Sequence, residues 1–173
     1  LAGPVDFNVK RLREGALPGS SLDELEAFTA ELNTLYGQSS AVRYAIRDAR
    51  KSLDKIATMI ERMANPMPDA HAQVHELRLE LFDIEETVFG NDVQADIGGY
   101  EPMSVSSWLS HAMRGVSNSS YGPTPSHRQS VEYAREAFEP AKNRLNALIE
   151  SELPALKAEL QKAGAPWAVG DPI

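Results

Sequence analysis

From residue 21 to residue 63 the apolar positions fall three and four residues apart without a fault. They are Leu25, Phe28, Leu32, Leu35, then Ser39, then Val42, Ile46, Ala49, Leu53, Ile56, Ile60 and Met63. This is a heptad seam with one polar member. The stretch LYGQSSAV, residues 35–42, has the composition of a turn. Leu35 and Val42 nevertheless stand one heptad apart across it, and a turn has no reason to keep phase. Gly37 falls on the outer face, where it costs about 1 kcal/mol relative to alanine and vacates no core slot. One helix is therefore predicted over about 21–64. Ser21 and Glu24 form a capping box at its start, and the prolines of NPMP, residues 65–68, close it.

The same period continues downstream. Ala70, Val74, Leu77, Leu81, Ile84 and Val88 predict a second helix over 69–89, with Gly90 as its cap. Residues 91–102 read as irregular. Val105, Trp108, Leu109, Ala112 and Val116 face inward on a short third helix, 103–117. Thr124 and Pro125 open a long fourth helix over 125–163. Its seam is Val131, Ala134, Phe138, Ala141, Leu145, Ile149, Leu153, Leu156 and Leu160. The four-residue steps from Ala141 to Leu153 resemble a stutter, and Pro140 and Pro154 favour curvature. The first and fourth helices are each about 60 Å long at ~1.5 Å per residue, and the second and third together supply the return path. The expected fold is all-α: an elongated, coiled-coil-like, up-down three-helix bundle whose middle rod is broken into two helices. Residues 20–173 form the bundle and residues 1–19 an extended lead-in. In the lead-in, Val5, Phe7 and Val9 alternate as in a strand, the tail of a preceding β-domain. Trp167 is expected to fold back on the bundle.

Composition narrows the function classes. The chain has 173 residues, 25 acidic and 17 basic, for a net charge of −8, and no cysteine. Thiol catalysis and thiolate metal sites are excluded. The acidic balance disfavours nucleic acid and anionic membranes as partners. No apolar run is long enough to span a bilayer, and no signal peptide is present in this segment. Arg43, Arg47, Arg50, Lys51 and Lys55 on the first helix are expected to face Glu76, Glu80, Asp83, Glu85 and Glu86 on the antiparallel second helix.

Few residues suggest chemistry. His71 and His75 stand one helical turn apart, a spacing compatible with zinc or copper. HAQVHE, residues 71–76, lacks the metalloprotease order, and no third ligand is evident. The pair reads first as surface residues, and second as the site of a free-standing metal or small-ligand carrier. His111 and His127 flank a serine-rich stretch (Ser106, Ser107, Ser110, Ser117, Ser119, Ser120), but no nucleophile elbow or third partner accompanies them. A slim rod is expected to lack a small-ligand cleft of ~300 Å³ or more. No cofactor motif is found.

Three segments carry a family resemblance: PMSV (102–105), YGPTPSHRQ (121–129) and KAGAPW (162–167). Together with GPVDFNVK (3–10), they resemble the C-terminal helical region of bacterial sortilin-like, BNR (Asp-box) repeat propeller proteins, often described as glycosyl-hydrolase-like. The resemblance implies a helical accessory domain behind a propeller, in an exported protein that is periplasmic, surface-associated or secreted. Chemistry would belong to the propeller, and no Asp-box repeat occurs here. The expected role is thus a non-catalytic spacer, lid or oligomerisation surface. Its partner would be the propeller or another protein, met through Tyr100, Trp108, Met113 and Tyr121.

Overall fold

The computed structural model describes residues 3–7, 18–99, 102–119 and 121–165. All regular structure among them is helical, and the helices pack as a bundle around one apolar core. Helix α1, Leu22–Glu61, runs unbroken through the glycine–serine stretch. Its buried face is the expected seam from Phe28 to Ile60, with Met59 added. Ser39 is 4% exposed and occupies its seam position. At the start, the Ser21 hydroxyl accepts from the Glu24 amide at 3.1 Å and the Glu24 carboxylate accepts from the Ser21 amide at 2.9 Å. Two of the helix's unpaired donors are thereby satisfied.

Helix α2, Pro68–Phe89, buries the six expected residues, and Gly90 caps it. The segment expected to be irregular contains one helical turn, α3, Asp92–Asp96. The Asn91 side chain accepts from the Gln94 amide at 3.1 Å, a local cap that favours the turn. Helix α4, Val105–Ser117, is capped by Ser104. Helix α5, Pro125–Ala147, continues through the π-helical turn Leu148–Glu152 into α6, Leu153–Lys162.

This π turn corrects the expected seam. Leu148 is fully buried, whereas Ile149 is only partly buried. The core-facing step from Leu148 to Leu153 is five residues, and the Leu153 amide bonds back to the Leu148 carbonyl. Pro154 explains the wider turn: its ring crowds the carbonyl four residues back and it donates no bond. Pro140, by contrast, lies on the exposed side of α5 and leaves the helix α-helical.

Contacts fix the helix directions. Arg50 pairs with Glu85, and Asp54 pairs with Arg78 at 2.7 Å, so α1 and α2 are antiparallel. Arg135 reaches Glu31, and Arg128 lies over the Phe28 ring, so α5 runs parallel to α1. Trp108 meets Tyr133 and His111 meets Ser130, so α4 runs antiparallel to α5. The expected basic-to-acidic match between α1 and α2 is mostly not formed. Only Arg50 of the five reaches an acidic residue of α2. Arg43 lies 3.9 Å from the Phe89 ring centroid, and Arg47 and Lys51 turn to Asp48 on their own helix. Register sets these partners: Asp48 lies within reach of Lys51 one turn on and of its neighbour Arg47, and Phe89 rather than a carboxylate stands opposite Arg43.

Val5 and Phe7, read as a strand, have no regular structure and are 79% and 82% exposed. No strand is present among the described residues for them to pair with, and a lone strand is not stable. Val9, Tyr100 and Trp167 lie outside the described residues.

Candidate functional site

Two regions bring functional side chains together. The first is the end of the bundle where α1 begins, α4 ends and α5 begins. The Ser20 amide donates to the Tyr121 carbonyl at 2.8 Å, joining the residue before the α1 cap to the α4–α5 loop. Gly122 adopts φ 85°, in the left-handed region. A Cβ there would come within 2.8 Å of the Ser20 Cβ. Tyr121 is exposed beside this clasp.

The α4–α5 seam next to it contains both flanking histidines. Thr124 and His127 form a capping box. The His127 amide donates to Thr124 Oγ1 at 3.4 Å, and the Thr124 amide donates to His127 Nδ1 at 3.1 Å. His127 Nδ1 is therefore an acceptor, which requires neutral imidazole. Burial, and secondarily the neighbouring His111, holds the His127 pKa below its ordinary value. The two imidazole centroids lie 5.0 Å apart. Gly115 gives the His127 ring its seat: a Cβ at residue 115 would lie 2.6 Å from Nδ1.

His111 Nδ1 lies 2.8 Å from Ser130 Oγ, a serine outside the group expected beside it. The Ser130 hydroxyl donates to the Ser126 carbonyl at 2.9 Å. Its single proton is thus engaged, and His111 Nδ1–H is the donor to the serine oxygen. A general base would need the reverse polarity. Ser130 is also buried within the helix pair. Of the expected serines, Ser107 bonds the Ser104 cap and Ser117 donates to the Met113 carbonyl. Ser119 accepts from the Tyr121 amide. These are cap and loop roles.

The remaining candidates are dispersed. His71 and His75 are exposed on α2. Among the described residues no group of three or more potential metal ligands occurs. Trp108 is half-buried, its ring 5.0 Å from that of Tyr133, and Met113 packs against the core. Two strongly exposed apolar side chains stand one turn apart at α3. Val93 is 73% and Ile97 80% exposed, and Met103, six residues further along the chain, is 49% exposed. The sequence reading passed over Val93 and Ile97, although their four-residue spacing was visible.

The second region is a cleft of about 580 Å³ between α1 and the π turn with α6. This overturns the expectation that the rod has no such space. Ala45, Ala49 and Ser52 are small residues on α1, and Ile149, Leu153 and Pro154 face them. The π turn displaces Ile149 from the core line, and the small residues opposite do not refill the space. Elsewhere on the bundle Arg144 binds both Glu80 and Glu152, linking α2, α5 and the π turn, and these carboxylates raise its pKa.

No protein-family model matches the chain, and no curated protein or solved structure matches it. The propeller resemblance therefore rests on the short segments that carry it. No helix among the described residues is long and apolar enough to cross a membrane.

Proposed function

We propose that this chain is a non-catalytic helical interaction module, built as an up-down bundle of three coiled-coil-like rods with α2 and α4 as the interrupted middle one. Val93 and Ile97, one turn apart at the break in that rod and 73% and 80% exposed, carry the reading. Two large apolar side chains exposed on adjacent turns exceed the single scattered exposures that are ordinary on a protein surface. Val5 and Phe7 are a second exposed apolar pair, on the segment before the bundle. In this proposal the module follows a propeller domain in an exported protein, and the α3 region and Tyr121 dock on that domain or on another protein. The hydrogen-bond polarity at Ser130 supports a structural role for the one serine–histidine contact described.

Amide hydrogen exchange tests the docking. In the native product of the source cells, residues 91–103 should exchange more slowly than in the isolated chain. Equal exchange in both would contradict a docked α3 region.

A further inference from the structure

The cleft between α1 and α6 has a built polarity. Its α1 wall extends from Ala45 to Met59, about 21 Å at ~1.5 Å per residue. Its volume of about 580 Å³ lies within the small-ligand range of roughly 300–1,000 Å³. Because α6 continues α5 and runs parallel to α1, Ala45 and Ile149 fall at one end, and Lys55 and Lys157 at the other. The floor between them is apolar, with Ala49, Ile56 and Leu153 along it. Asp48 lines the cleft, but its carboxylate is held by Lys51 and Arg47 at 3.3 Å each. Lys55 makes no salt bridge among the described residues, on a chain of net charge −8. An exposed ammonium at one end of an apolar trough complements an anionic head on an apolar chain.

We propose that this cleft binds a single-chain amphiphile of the alkyl-carboxylate class, its chain on the apolar floor and its head group at Lys55. A narrow trough between two helices suits a flexible chain better than a docking helix. This inference stands apart from the interaction-module reading, which rests on other residues, Val93 and Ile97.

Isothermal titration of the 173-residue chain with dodecanoate tests it. The expected result is saturable one-to-one binding. Lys55→Glu, at an exposed position, should weaken binding by about tenfold or more through charge reversal. Ala45→Phe, at the half-buried rim, should weaken it by about tenfold or more by filling the cleft, with helical circular dichroism unchanged. Dodecanol, with the same chain and no charge, should bind at least about tenfold more weakly than dodecanoate. Absence of saturable dodecanoate binding would overturn the proposal. So would unchanged affinity in the Lys55→Glu variant, which needs no repacking, or equal affinity for the alcohol.

Discussion

The imidazole of His127 lies directly against Gly115, so close that a Cβ on residue 115 would stand 2.7 Å from the ring's Cγ. This contact joins the end of α4 to the first turn of α5. Alanine normally improves a helix interior over glycine by about 1 kcal/mol. At residue 115 the clash outweighs that gain, and Gly115→Ala is predicted to destabilise the chain by about 1–2 kcal/mol. Denaturant midpoints measure this. In a His127→Ala background the penalty should largely vanish, since the two residues share one contact.

His127 also gives this end of the bundle a pH dependence of known sign. Its capping bond needs neutral Nδ1, and its folded pKa lies below the ordinary value of 6.5. The unfolded chain therefore binds the proton more readily than the folded one. The stabilisation is present in full above the unfolded pKa and is lost as pH falls through the lowered folded value. Glutamine at N3 keeps an acceptor for the Thr124 amide but does not titrate in this range. His127→Gln should thus flatten stability between about pH 7.5 and pH 5.5 relative to the parent. An unchanged slope would show that the capping histidine is not its source.

The Ser20–Tyr121 clasp makes a separate prediction. Gly122→Ala places a side chain at positive φ and against Ser20. A loss of about 1–3 kcal/mol is expected, with faster amide exchange at Ser20 as its bond to Tyr121 opens.

The histidine pair on α2 should not act as a metal centre. His71 and His75 supply two exposed imidazoles with no third donor gathered around them among the described residues. Zinc or copper should produce no saturable thermal shift. A stoichiometric shift that His75→Ala removes would instead favour the carrier reading.

The long helices were legible because their seams repeat every three to four residues. That period carried α1 through its glycine–serine stretch and placed all six buried residues of α2. Ile149 was misread because the same arithmetic assumes an α-helical turn. Pro154 imposes a five-residue step that no heptad count contains. Gly115 was invisible for another reason: a glycine in a helix reads as a weakness until the ring that needs the space is seen. The cleft depends on small α1 residues meeting the π turn, a juxtaposition of distant segments. Arg43, Arg47 and Lys51 turned to partners other than the α2 carboxylates because interhelical register, not composition, decides which charges meet.

The central claim, that this bundle serves a larger protein as an interaction module, is tested most directly by the size of the native product. An antibody against this segment would be used on extracts of the source cells. A band far above the 19.0 kDa of this chain is expected. A single band at that mass would contradict it.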